Sequence, residues 1–216
     1  MNSNYKVIKF RSNNSKEVDD QVSIEEPLEI ILKYKIKENW IENTISITMR
    51  TPGDDEDLVT GFLFNERVIE KINHIENIQA SGEPVGQYKL KNKIIVTINN
   101  SENIDIDKIK RNFLTNSSCG VCGKTSLDTL EIIKKDKIIK SIPKIHHEII
   151  LKSPNILRQN QSEFSKTGGI HASGLFNASG EIVAVKEDVG RHNALDKLIG
   201  YVLKKKLLDN SSQFLT

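Results

Sequence analysis

Gly168-Gly169-Ile170-His171-Ala172-Ser173-Gly174-Leu175-Phe176-Asn177-Ala178-Ser179-Gly180-Glu181-Ile182-Val183-Ala184-Val185-Lys186-Glu187-Asp188-Val189-Gly190-Arg191-His192-Asn193 is the stretch whose reading decides the fold. A glycine pair precedes a strand over 170–177, Ala178-Ser179-Gly180 is turn chemistry, and 181–187 returns as a second strand. A second glycine turn feeds a helix in which Leu195, Leu198, Ile199, Val202 and Leu203 keep the spacing of one helical face. Strands and a helix joined by short turns predict a mixed α/β protein.

Upstream, residues 28–36 are β-rich and 41–49 alternate apolar and polar, a predicted hairpin turning at Lys37-Glu38-Asn39. Thr51-Pro52-Gly53-Asp54 is a turn. Asp54, Asp55, Glu56 and Asp57 then open a helix predicted to run to about Glu70, with the carboxylates complementing the positive end of the helix dipole. A metal or substrate role is the alternative reading of that cluster. Strands follow at 75–80, 87–91 and 93–99, and a helix at 104–114. Thr125 and Asp128 are spaced as a capping box for another helix. A strand at 138–142 and a helix at 144–151 come next, interrupted by Pro154, with a second short helix to about Glu163. Residues 1–22, rich in Asn, Ser and Lys, are expected to be loosely held apart from an edge strand at 5–10. The serial division is a flexible segment over 1–22, a smaller β-rich subdomain over 23–100, a helix–loop–helix over 101–135 and an α/β core over 136–216.

The chain has 216 residues, 37% hydrophobic and 28% charged, enough to bury a real core. Its 31 basic and 29 acidic residues argue against a protein that wraps nucleic acid through bulk charge. No apolar run approaches the ~18 residues that a membrane span needs. Met1-Asn2-Ser3-Asn4-Tyr5-Lys6 leads into no signal-peptide core, so the reading is a cytoplasmic protein.

Both cysteines of the chain fall in Ser117-Ser118-Cys119-Gly120-Val121-Cys122-Gly123-Lys124. In a reducing compartment a CxxC serves catalysis, redox chemistry or metal binding more often than a structural disulfide. Lys124 and the helix start behind it favour a thiolate, the form that attacks or carries sulfur. Four readings stay open from spacing: persulfide or thiol–disulfide chemistry, a zinc site, half of a site completed across a dimer, and no chemistry. Zinc is weakened because two cysteines make half a structural site, and none of the five histidines has zinc-finger spacing. A P-loop would need glycine where Ser118 stands.

Two further constellations are candidates for a ligand. Gly168, Gly169 and His171 would let a ligand approach the backbone closely; the plain alternative is a turn and an ordinary histidine. Arg191 and His192, at a helix start after a strand end, suit a phosphate or pyrophosphate. The alternative is that Asp188 or Asn193 caps the helix while Arg191 ion-pairs outward.

Together these residues resemble the formate dehydrogenase accessory sulfurtransferase (FdhD) family. The resemblance runs through Met49-Arg50-Thr51-Pro52-Gly53-Asp54-Asp55-Glu56, Ser117-Ser118-Cys119-Gly120-Val121-Cys122-Gly123-Lys124, Thr167-Gly168-Gly169-Ile170-His171-Ala172 and Glu187-Asp188-Val189-Gly190-Arg191-His192-Asn193-Ala194-Leu195-Asp196-Lys197. It implies a sulfur carrier that takes persulfide sulfur from a cysteine desulfurase. The sulfur passes to the molybdenum cofactor, in its bis-molybdopterin guanine dinucleotide form, before that cofactor enters formate dehydrogenase. It assigns the persulfide to Cys119 with Cys122 assisting. It also implies a cytidine-deaminase-like three-layer core, a homodimer and no permanently bound metal. Placing the guanine dinucleotide at Gly168, Gly169, His171, Arg191 and His192 is an inference from their phosphate-friendly chemistry. Deamination itself is improbable, because His171-Ala172-Ser173 lacks the needed glutamate and the CxxC precedes the histidine. Family members continue past Gln213-Phe214-Leu215-Thr216, which reads as the start of a strand, so a shortened C-terminus is expected. The alternatives are a zinc-stabilised binding module and a degenerate family member without activity.

Overall fold

A computed structural model describes residues 1–12, 14–99, 144–207 and 213–216. In chain order the elements are β1 (Asn2–Arg11), β2 (Asn14–Ser23), β3 (Glu26–Ile36), β4 (Asn39–Arg50), α1 (Asp55–Asn65), a 3₁₀ turn (Ile72–His74), β5 (Ile75–Ser81), β6 (Lys93–Ile98), α2 (His147–Gln159), α3 (Ser162–Thr167), β7 (His171–Asn177), β8 (Ile182–Asp188), α4 (Arg191–Lys205) and β9 (Gln213–Leu215). This is the mixed α/β class expected. The helix expected at 104–114, the strand expected at 138–142, the CxxC and the Thr125 cap lie outside the described residues.

The chain forms two compact units, each assembled from separate stretches of sequence. One comprises Met1–Glu26, Met49–Phe62 and Ile145–Thr216, the other Pro27–Thr48 and Leu63–Lys144. In the second unit the sheet order is β4-β3-β6-β5. Alternation along β3 buries Leu28, Ile30, Leu32 and Tyr34. β6 runs parallel to β3, pairing Ile30 with Ile94 and Leu32 with Val96, so Ile94, Val96 and Ile98 extend the same buried face. Glu29 ties three strands together, taking Lys93 of β6 at 2.8 Å and Thr44 of β4 at 2.6 Å. The predicted strand at 87–91 is instead turn structure holding a single bridge, Val85 to Leu90. Positive φ at Gly86 and Lys89 breaks the extended run.

In the first unit β7 is central, antiparallel to β8 on one side and to β9 on the other. The strand start expected at Gln213 is therefore present as β9, with Phe214 stacked on Phe176 at 5.3 Å. α4 covers this sheet through Leu198 and Val202, which cluster with Leu175. α4's buried face differs from the sequence reading: Asn193, Ala194, Lys197 and Gly200 are buried, whereas Leu195, Ile199 and Leu203 are only partly so.

The cause is a close crossing of α1 and α4. A Cβ on Gly61 would land on the Asp196 carbonyl, with the Asp196 Cα at 2.9 Å. One on Gly200 would land on the Asp57 carbonyl, with the Gly61 nitrogen at 2.9 Å. Only glycine at both positions admits backbone this near.

Three local differences have plain physical reasons. α1 stops at Asn65 rather than near Glu70. Arg67 takes a left-handed φ of 59°, while Arg67 N–H donates to the Phe64 carbonyl (3.0 Å) and Val68 N–H to the Leu63 carbonyl (2.8 Å). That bond pair closes a helix C-terminus. Pro154 does not break α2. The Ile150 carbonyl, which a proline cannot serve, accepts the Ser153 hydroxyl at 2.9 Å instead. Residues 1–22, expected to be loosely held, form the β1–β2 hairpin with Val7 opposite Val18. Glu163 of α3 fastens its base, accepting the Met1 ammonium at 3.3 Å and the Asn2 amide at 3.0 Å.

Candidate functional site at the end of the β7–β8 pair

The turn after β4 and the start of α1 bring polar residues to the first unit's core. Arg50, 1% exposed, donates two parallel bonds to Asp55 at 2.9 and 3.0 Å and a third to the Glu26 carbonyl. Asp54 and Asp57 hold Lys186 at 3.0 and 2.9 Å, and Glu56 and Asp57 hold Lys204 at 3.1 and 3.0 Å. Burial works against the charge on Lys186, but its bonds to Asp57 and Asp54 outweigh this and raise its pKa above the ordinary lysine value. Asp54, just before α1, and the three carboxylates of its first turn thus each have a cation beside the positive end of the helix dipole.

The predicted ligand residues come from two separate segments that meet. His171 opens β7 and pairs in register with Asp188, the last residue of β8. Gly168 and Gly169 lie just before His171, and Arg191 and His192 just after Asp188, so all five gather at one end of the strand pair. All five are exposed. Gly168 has its own structural duty as the left-handed C-cap of α3, at φ 68°. Gly190 is the N-cap of α4 and offers no side-chain cap to the helix. Among the described residues Arg191 has no ion-pair partner. Neither Asp188 nor Asn193 caps α4, and both are used differently.

Beneath this end lies a network centred on Asp188, which is fully buried. Its carboxylate accepts from Thr51 N–H (3.1 Å), Gly190 N–H (2.9 Å), the Asn193 amide (3.2 Å) and the Lys197 ammonium (2.7 Å). Lys197, 2% exposed, also donates to the Thr51 carbonyl at 2.7 Å, and the Asn193 amide to the Met49 carbonyl at 2.7 Å. Val189 N–H donates to the Thr51 hydroxyl at 3.1 Å. Residues 49–51 are thereby fastened to the turn that presents Arg191 and His192. Glu187, next along β8, faces α3 and accepts the N–H groups of Glu163 and Phe164, both at 2.9 Å. A Cβ at Gly190 would lie 3.0 Å from the Asn193 amide nitrogen, so glycine leaves room for that bond.

Sequence reasoning gave Lys197 no role and Asn193 only that of a candidate helix cap. The available signal was their one-turn spacing on α4 behind a strand-end aspartate. Cys119 and Cys122 lie outside the described residues. Among those residues no helix is long and apolar enough to cross a membrane.

The whole fold is similar to that of a candidate formate dehydrogenase accessory protein from Desulfotalea psychrophila, with TM-score 0.63. The match covers 100% of this chain and 74% of that one at 24% identity. The sequence is 43% identical over 191 residues to the sulfur carrier protein FdhD of Picrophilus torridus, covering 88% of this chain and 66% of the relative. It is 37% identical to the FdhD of Sulfolobus acidocaldarius (94% and 70% covered) and 40% identical to that of Streptomyces coelicolor (92% and 68%). The chain thus spans about two thirds of the length of these curated relatives. The model of the FdhD/NarQ family matches residues 24–216, a span that takes in the CxxC and every polar residue of the Asp188 network. The chain belongs to the FdhD/NarQ family.

Proposed function

We propose that this chain is a sulfur carrier acting through a persulfide on Cys119. It accepts sulfur from a cysteine desulfurase and delivers it to the molybdenum cofactor before that cofactor enters formate dehydrogenase. The observation that carries the reading is the CxxC at 119–122, lying inside a family match whose curated relatives are named sulfur carriers.

In the loading step the Cys119 thiolate attacks the outer sulfur of the donor's cysteine persulfide. A new S–S bond forms, the donor's S–S bond breaks, and the donor cysteine leaves as thiolate. The carried sulfur is two electrons more oxidised than sulfide. Attack by the Cys122 thiolate on the Cys119 Sγ supplies those electrons: hydrosulfide is released and a Cys119–Cys122 disulfide remains. One thiol carries and its neighbour discharges, which gives the spacing a purpose.

The cofactor is cargo here, and the end of the β7–β8 pair is the proposed cradle for its phosphates. Support comes from the exposed Arg191 and His192 at the uncapped start of α4, opposite Gly168, Gly169 and His171. A homodimer of this chain is proposed on the resemblance alone.

Complementation tests the reading. In a strain lacking its own carrier, the parent chain should restore formate dehydrogenase activity and Cys119→Ala should not. Equal rescue by the parent and by Cys119→Ala would refute it.

A further inference from the structure

The start of α2 holds three metal-binding side chains that neither the fold nor the sulfur chemistry uses. His146, His147 and Glu148 are exposed, and their ligand atoms all lie within 4.8 Å of one another. The two imidazole rings sit side by side, with centroids 4.3 Å apart and a 36° tilt. Among the described residues none of the three side chains has a hydrogen bond or an ion pair.

Consecutive residues of a regular helix fan out by about 100° each, so three in a row do not converge. Here His146 is the N-cap, with extended backbone at φ −67° and ψ 137°, while His147 and Glu148 are the first helical residues. The change of backbone direction brings the first imidazole back beside the other two ligands.

We propose that His146, His147 and Glu148 bind a divalent transition ion, Zn²⁺ by the character of the donors, at a surface site whose ligands do not include the cysteines. Two imidazoles and one carboxylate favour Zn²⁺, Ni²⁺ or Cu²⁺ over Mg²⁺ and Ca²⁺, which take oxygen ligands. Tetrahedral Zn²⁺ with bonds of about 2.0–2.1 Å sets its ligand atoms roughly 3.3 Å apart. Closure from 4.8 Å therefore takes rotation of exposed side chains that give up no other partner. The helix's positive end opposes a cation at this place, and the Glu148 carboxylate offsets it. Three protein ligands leave a fourth position for water.

The test uses the full chain carrying Cys119→Ser and Cys122→Ser, so that thiols cannot contribute. Titration with Zn²⁺ by calorimetry should show one ion bound. Losing an outer partner of a metal costs 10–100-fold in affinity, so His146→Ala and His147→Ala should each weaken binding at least about tenfold. Glu148→Gln should weaken it less. Co²⁺ should give the visible d–d bands of a nitrogen and oxygen site without a thiolate charge-transfer band. No bound Zn²⁺, or binding unchanged in both histidine variants, would overturn the proposal. In the chain that keeps both cysteines, His146→Ala and His147→Ala should leave sulfur loading on Cys119 unaffected, so failure of this site and failure of the carrier reading are separable.

Discussion

Replacing Lys197 by methionine keeps the side chain's length and removes the cation from a pair buried on both sides, Lys197 at 2% exposure and Asp188 at 0%. Breaking a buried pair from one side costs about 3–5 kcal/mol, because the other charge stays uncompensated. Thr51 N–H, Gly190 N–H and the Asn193 amide still donate to Asp188, which lowers that figure. The Thr51 carbonyl loses the Lys197 donor, which raises it again by about 1–3 kcal/mol if nothing replaces the bond. The expected loss is about 3 kcal/mol, or about 6–12 °C in Tm for a chain of this size. Urea unfolding followed by far-ultraviolet circular dichroism measures it. The double variant Asp188→Asn with Lys197→Met should cost clearly less than the sum of the two singles, since it removes both charges together. A Lys197→Met loss below about 1 kcal/mol, or strict additivity in the cycle, would refute the reasoning.

Gly200→Ala should lower stability by about 2 kcal/mol or more, despite alanine's ~1 kcal/mol advantage in a helix, because the new Cβ meets the Asp57 carbonyl rather than a flexible side chain. Thermal melts of Gly200→Ala and Gly61→Ala check this; a stabilised variant would contradict the crossing. The hairpin base should loosen in acid. Burial opposes the Glu163 charge, yet the Asn2 amide, Lys166 and the N-terminal ammonium outweigh it and lower its pKa. A carboxylate depressed in the folded state contributes fully above its unfolded value and loses that contribution as pH falls through the folded one. Amide exchange in β1 and β2 should therefore accelerate at acid pH, measured relative to intrinsic rates, and Glu163→Gln should show the faster exchange already at neutral pH.

The strand–turn–strand–turn–helix order of the first unit was legible because period-2 and helical patterns meet at glycine turns there. The same patterning placed β3 and β4, and Gln213-Phe214-Leu215 read as a strand start; residue chemistry named His171, Arg191 and His192 as candidates, while it is the β7–β8 pairing that gathers them at one end. Lys197 was not legible. A lysine on a helix reads as solvated, and only the fold turns it inward onto an aspartate nine positions earlier. The crossing at Gly61 and Gly200 was hidden for a related reason: a helical glycine reads as a weak point until the partner helix is known. The hairpin over the first 23 residues was masked by polar composition, since its anchor, Glu163, lies far along the chain. Pro154 misled because its cost depends on whether a neighbour can serve the freed carbonyl, and Ser153 does.

The most direct test of the carrier claim is the mass of the chain after incubation with a cysteine desulfurase and cysteine. The account predicts a gain of one sulfur atom, removed by a thiol reductant, mapped by fragmentation to Cys119 and absent from Cys119→Ser. No gain, or a gain that persists in Cys119→Ser, would contradict it.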